Sequence, residues 1–267
     1  MSGSLTHVIS EIRERVQGAS LVSLFLDFDG TLVPIDPDPR APQLGDDTAG
    51  TLRMISRQKL VVVTVISGRA VEDLYSRVRL EGVIYAGNHG LEIFGRNIKF
   101  VEPAASACRD RLKRLCEEVA EALAPIKGAF VEFKGLTASI HYRMAGIEDY
   151  PRIQVAVFTA VARASTLFRV NYGRKVLEIV PRTSWHKGSA VRWINSHIGD
   201  GQALSIYLGD DSTDEDAFAA LPEAVTIRVG CIESTSARYH LPDPASVHEF
   251  LLWLAIQGAA RERQVRV

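Results

Sequence analysis

Leu21-Val22-Ser23-Leu24-Phe25-Leu26-Asp27-Phe28-Asp29-Gly30-Thr31-Leu32 is the stretch that decides the fold. Its first half is apolar apart from Ser23 and ends abruptly in two aspartates and a glycine. A short, continuously apolar run marks a strand covered on both faces, as strands are inside a parallel sheet. In open sheets of that kind ligands bind outside the carboxyl ends of the strands, so both aspartates fall where sites form. Alternation turns Asp27 and Asp29 the same way if the strand stays extended, and Gly30 lets the backbone bend sharply beside a ligand. A strand-ending turn rich in Asp and Gly accounts for the same residues, and the stretch by itself does not separate the two.

Similar apolar runs occur at 60–67, 83–87, 205–210 and 224–229. Helical patterns at 47–57, 70–79, 187–198, 212–220 and 245–256 lie between and beside them. Buried strands alternating with helices predict an α/β fold with a doubly wound, mostly parallel sheet. Residues 104–182 break the pattern. A helix is predicted over 106–124, with Leu112, Leu115, Val119 and Leu123 as its apolar stripe. Alternating segments at 130–134 and 137–143 meet around Gly135, and a helix at 151–164 follows. A second pair, 167–172 and 175–180, turns at Gly173-Arg174. This order describes a smaller α+β domain inserted into a core formed by 1–103 and 183–267, because the parallel-type strands resume after it.

The 267 residues carry a formal net charge of −1 and no long basic block. Nucleic-acid binding through neutralised phosphates is therefore not expected. The most continuous apolar run, Leu60–Ile66, is too short for a bilayer, so no membrane is expected as a partner. Leu5–Gln17 mixes apolar and charged residues at helical spacing and does not resemble a signal peptide. Cys108, Cys116 and Cys231 have no metal-type spacing and read as packing thiols in a reduced, cytoplasmic setting.

Three further motifs lie at strand ends and helix starts. Ser67-Gly68-Arg69 closes the second apolar run, where a hydroxyl and open backbone N–H groups suit a phosphate oxygen. A serine N-cap is the plainer alternative. Lys187 starts a helix although cations are mildly unfavourable there, and a solvated charge is its plainer alternative. In Leu208-Gly209-Asp210-Asp211-Ser212-Thr213-Asp214-Glu215-Asp216, five acids fall within seven residues. Helix starts favour acids, yet a hard cation such as Mg2+ takes one or two carboxylates plus phosphate and water.

Taken together, three strand ends carry a carboxylate pair, a hydroxyl and a metal-type carboxylate. One carboxylate can attack phosphorus while the other protonates the leaving oxygen and then takes a proton from water. A phosphate approaching Asp27 beside Asp210 meets a repulsion of about 4 kcal/mol per unit-charge pair at ~4 Å, for an effective dielectric of about 20. Mg2+ and Lys187 would supply the opposing positive charge.

Asp27-Phe28-Asp29-Gly30-Thr31, Ser67, Lys187 and Gly209-Asp210-Asp211 resemble the four motifs of the haloacid-dehalogenase-like phosphatases. Within that superfamily nearly the whole chain is similar to the trehalose-6-phosphate phosphatases. The similar segments include Gly87-Asn88-His89-Gly90, Glu132-Phe133-Lys134, His141-Tyr142-Arg143, Glu178-Ile179-Val180-Pro181, 209–218 and the tail Ser234–Leu241. The resemblance implies Mg2+-dependent hydrolysis of trehalose 6-phosphate through an aspartyl-phosphate. Asp27 would be the nucleophile and a metal ligand, and Asp29 the general acid/base that also offers its carbonyl to the metal. Ser67 and Lys187 would bind phosphate oxygens, Asp210 would complete the metal site, and Asp211 and Asp214 would orient it. The inserted domain would be a mobile cap over the sugar. Arg69, Asn88, His89, Glu132, Lys134, Ser139, His141, Arg143 and Glu178 would bind substrate. The partner implied is a small-molecule sugar phosphate, met by a monomer.

Alternation in the inserted domain gives a compatible pattern. Glu132 and Lys134 share a face opposite Val131 and Phe133, and Ser139, His141 and Arg143 share one opposite Ile140 and Tyr142. Such a face suits a hydroxyl-rich sugar, and it equally suits the solvent side of a half-buried sheet.

Overall fold

The computed structural model describes residues 5–173, 175–198, 203–230 and 234–265. Arg174 of the expected turn and Cys231 lie outside them. The chain divides into two compact units, one of 1–100 and 185–267 and the other of 101–184.

In the first unit α1 (Leu5–Gly18) leads into β1 (Val22–Asp27), followed by α2 (Asp46–Ser56), β2 (Val61–Ile66), α3 (Val71–Val78) and β3 (Ile84–Gly87). A hairpin, β4 (Glu92–Gly95) and β5 (Ile98–Val101), reaches the second unit. There α4 (Pro103–Ala107), α5 (Arg109–Leu123), β6 (Phe130–Phe133), β7 (Ala138–His141), α6 (Tyr150–Ala162), β8 (Phe168–Gly173) and β9 (Val176–Pro181) follow in order. The first unit resumes with α7 (Lys187–Ile198), β10 (Leu204–Gly209), α8 (Ser212–Ala220), β11 (Val225–Val229), β12 (Tyr239–Leu241) and α9 (Pro244–Val265).

The large sheet has the order β12-β11-β10-β1-β2-β3-β4-β5. It is parallel from β12 to β3, and β4 runs antiparallel to β3. Strand order reverses at β1, the switch point at which α/β sheets open a crevice. Every residue of β1 is buried, because helices cover both faces. Val22, Leu24 and Leu26 pack with α1, α2, α3 and α9 through Ile12, Leu52, Leu74 and Phe250. Phe25 faces the other way, onto Ala190, Val191 and Ile194 of α7 and Ala217 and Phe218 of α8. Asp27 has the parity of Phe25, and so it leaves the strand on the side of α7 and α8.

The second unit is a four-stranded antiparallel sheet, β6-β7-β9-β8, with α5 and α6 on one face. Leu112, Leu115, Val119 and Leu123 do form the buried stripe of α5. The single helix expected over 106–124 is instead two. Glu102 caps α4 by accepting the Ala105 N–H at 2.6 Å, Pro103 occupies its first turn, and the chain resets at Cys108. The β4–β5 hairpin and β12 were not expected. Their strands are three or four residues long, and Arg96 and Asn97 turn the hairpin at positive φ without a glycine at either position.

Candidate active site

Strand register builds the site. Asp27 lies level with Ile66, and Leu26 is level with Leu208. Ser67 follows Ile66 by one residue and Asp210 follows Leu208 by two, so both emerge at the same rim just beyond the level of Asp27. Gly30, at φ +85°, turns the chain there, and a Cβ at this position would lie 2.1 Å from Asp210 Oδ2. Only glycine admits that approach.

Lys187, the first residue of α7, is 2% exposed and is not a solvated charge. Its Nζ donates to Asp27 Oδ1 and to Asp214 Oδ1, each at 2.7 Å. Asp214 is fully buried and accepts the Asp211 N–H on Oδ2 at 2.9 Å. Asp211 itself is the N-cap of α8, where its carboxylate accepts from Ser212. Burial pushes the Asp27 carboxyl well up; Lys187 opposes that shift, while Asp214 and Asp210 add to it. Asp210 is pushed up to about 7 by burial and then by Asp214. Burial disfavours the Lys187 ammonium, but Asp214 and Asp27 outweigh it and hold the lysine protonated above its usual range. Three carboxylates thus crowd one ammonium, an arrangement short of positive charge.

Carboxylate oxygens of Asp27, Asp210 and Asp214 lie within 4.8 Å of one another. Asp210 Oδ1 is buried without a hydrogen-bond partner among the described residues. An orphaned, buried carboxylate oxygen beside a second one fits a hard divalent cation. Asp214 Oδ1 already accepts two donors, so Asp27 and Asp210 have the freer oxygens. Asp211 stands outside this group of three, because its side chain is turned to the helix cap.

Asp29 is engaged by Arg69, whose Nε and Nη2 each lie 2.7 Å from one of its oxygens. Arg69 Nη1 donates to Asp73 Oδ2 at 3.1 Å, and the guanidinium lies 5.6 Å over the Phe28 ring. Ser67 is buried and accepts the Arg69 N–H at 3.2 Å. It is not the N-cap of α3, which is Ala70. Asn88 and His89 occupy a tight turn at positive φ after β3. Asn88 is buried and donates through Nδ2 to Glu92 Oε1 at 2.6 Å, and its backbone N–H reaches Arg69 O at 2.7 Å. The His89 N–H reaches Ser67 O at 2.9 Å. Glu92 also accepts the first N–H of α3, from Val71, at 3.0 Å. Sequence reasoning missed it, since a lone Glu in a short strand carries no motif.

Glu215 was likewise read only as part of an acidic run. It accepts Thr235 Oγ1 at 2.8 Å and the Ser236 N–H at 2.7 Å, fastening the family-like tail to α8.

In the second unit Glu132, Ser139, Glu178 and Asn171 are aligned across the sheet, one per strand. His141 Nε2 lies 2.8 Å from Glu132 Oε2, and Lys134 Nζ is 3.6 Å from Glu178 Oε1. Ser139 Oγ donates to Glu178 Oε1 at 3.5 Å. Arg143 is half-buried two residues beyond His141. Asn171 shares this face by register and was not picked out from the sequence, because its strand does not alternate cleanly.

The doubly wound sheet with its inserted α+β unit is a fold shared with a haloacid dehalogenase-like hydrolase from Bacteroides thetaiotaomicron, with a TM-score of 0.62 and 16% identity over 86% of this chain and 98% of that one. The trehalose-phosphatase profile matches residues 25–245, and the chain belongs to that family. It is 36% identical over 244 residues to the trehalose-phosphate phosphatase of Mycobacterium tuberculosis (strain H37Rv), covering 88% of this chain and 61% of that protein. The probable trehalose-phosphate phosphatase 2 of Oryza sativa subsp. japonica is 33% identical over 264 residues, covering 88% of this chain and 68% of that protein. The C-terminal domain of Candida albicans trehalose-6-phosphate phosphatase has the same fold, with a TM-score of 0.77 and 22% identity. That match covers 95% of this chain and 97% of the solved one. Among the described residues no helix is long and apolar enough to cross a membrane.

Proposed function

We propose that this chain hydrolyses trehalose 6-phosphate to trehalose and phosphate, with Asp27 as the nucleophile. The observation that carries the reading is the Lys187 ammonium held 2.7 Å from Asp27 at the carboxyl rim of β1, beside the orphaned oxygen of Asp210. Lys187 fixes one oxygen of Asp27 and so orients the other toward phosphorus. Attack forms a bond from that oxygen to phosphorus and breaks the phosphorus–sugar oxygen bond, leaving an aspartyl-phosphate. Asp29, released from Arg69, gives a proton to the departing sugar oxygen. It then takes a proton from water, whose oxygen attacks the same phosphorus and restores Asp27. Ser67 and Lys187 bind the non-bridging phosphoryl oxygens. Mg2+, held by Asp27 and Asp210, would offset the charge of the phosphoryl group. The polar row of the second unit reads the sugar hydroxyls: a buried donor or acceptor left unmatched by the wrong sugar raises the barrier for it.

Phosphate release measured on a panel at matched concentration tests the reading. Trehalose 6-phosphate should exceed sucrose 6-phosphate and glucosyl phosphoglycerate by about tenfold or more in kcat/KM. Preference for another sugar phosphate would reassign the substrate, and tight binding without turnover would make the chain a sensor.

A further inference from the structure

Tyr207 belongs to none of the motifs at the rim, yet its side chain ends inside the acid–lysine cluster. It sits in β10, fully buried, with its ring stacked 6.2 Å from Phe25 and edge-on to Phe218 at 5.6 Å. A phenylalanine would satisfy that packing. A hydroxyl buried there costs free energy unless it is bonded, and it donates to Asp214 Oδ1 at 2.6 Å. The same oxygen accepts Lys187 Nζ at 2.7 Å, while Oδ2 accepts the Asp211 N–H at 2.9 Å. Three donors from β10, α7 and the cap of α8 therefore fix one carboxylate in a single orientation. The backbone makes room for it: a Cβ on Gly209 would lie 2.3 Å from Asp214 Cγ.

We propose that Tyr207 is a positioning residue for phosphoryl transfer, its hydroxyl fixing Asp214 and, through Asp214, the aim of Lys187 at Asp27. The flexible lysine stem has no directional preference of its own. With Asp214 immobilised, the ammonium has two fixed acceptors and one remaining donor direction, which is available to a phosphoryl oxygen. Asp214 then serves as the anchor of Lys187 and leaves the cation to Asp27 and Asp210. The inference rests on the role proposed above for Lys187.

Tyr207→Phe removes the hydroxyl and keeps the ring. It should fold, with a melting temperature within a few degrees of the parent. Its kcat/KM should fall about tenfold on trehalose 6-phosphate and equally on p-nitrophenyl phosphate, because the loss passes through the phosphoryl site and not the sugar. Inhibition by tungstate, a phosphoryl-like oxyanion, should weaken in parallel. In a double-mutant cycle, Tyr207→Phe added to Lys187→Met should cost nothing further. Undiminished activity, an equal additional loss in the Lys187→Met background, or failure of the phenylalanine variant to fold would each overturn the positioning role. Near-normal turnover by Lys187→Met alone would instead overturn the assignment of the site.

Discussion

Asp29 gives both of its carboxylate oxygens to one guanidinium, with Arg69 Nε and Nη2 each at 2.7 Å. An arginine fork that takes both oxygens fixes the carboxylate in one orientation, and Asp29 must turn one oxygen out of the pair to act as the acid. The remaining Arg69 amine is engaged by Asp73, and an effect carried through Asp29 is the outcome to be tested against a direct contact with substrate. Arg69→Ala is expected to lower kcat by about tenfold to a hundredfold with little change in KM. Arg69→Lys should recover only part, since an ammonium cannot reproduce the fork. Steady-state kinetics with trehalose 6-phosphate check this; a rise in KM at constant kcat would place Arg69 on the substrate.

Asp27→Asn should abolish phosphate release while preserving the fold. Asp27 is one of three acids around a single ammonium, and its carboxyl is pushed well up by burial before Lys187 counters it. Removing one of the crowded charges is therefore expected to leave the melting temperature at or above that of the parent. Thermal denaturation beside a phosphate-release assay measures both, and retained turnover would remove Asp27 from the nucleophile's role.

Metal-stripped protein should lose stability as pH rises. The Asp210 carboxyl is pushed up to about 7 in the folded chain, by burial and then by Asp214. In the unfolded chain it titrates at about 4. Between those values the folded state holds a proton that the unfolded state has released, so stability falls with rising pH across that window. The loss is at most roughly 4 kcal/mol for a three-unit shift. Melting curves from about pH 5 to about pH 8 should descend, and Mg2+ added at the upper end should restore the melting temperature and the activity. A flat or ascending profile would contradict the account of a site short of positive charge.

Glu132→Gln and Lys134→Met should separate sugar recognition from chemistry. Glu132 meets His141 at 2.8 Å, and Lys134 faces Glu178 at 3.6 Å on the polar side of the small sheet. Each change should lower kcat/KM for trehalose 6-phosphate by about tenfold to a hundredfold and leave p-nitrophenyl phosphate hydrolysis within about twofold. Equal losses on both substrates would place these residues outside sugar recognition.

The core strands were legible because burial on both faces writes itself as uninterrupted apolar runs, and Val61–Ile66 and Val22–Asp27 are buried throughout. The β4–β5 hairpin was not, since Glu92–Gly95 is half-exposed, short and without alternation strong enough to read. Apart from the family resemblance, Lys187 stood out only as a cation in an unfavourable place. Its burial explains why it is there, and no local pattern contains that burial.

By itself the sequence determined which reactive groups this protein has and that Asp27, Ser67 and Asp210 close parallel strands, because strand burial and period-two geometry are local properties. Tertiary structure decided the pairings: Arg69 with Asp29 across 40 residues, Lys187 with Asp27 across 160, and Tyr207 beneath Asp214. A hydrogen bond between distant segments depends on how layers pack and in what register, and neither is recorded in the spacing of residues along the chain.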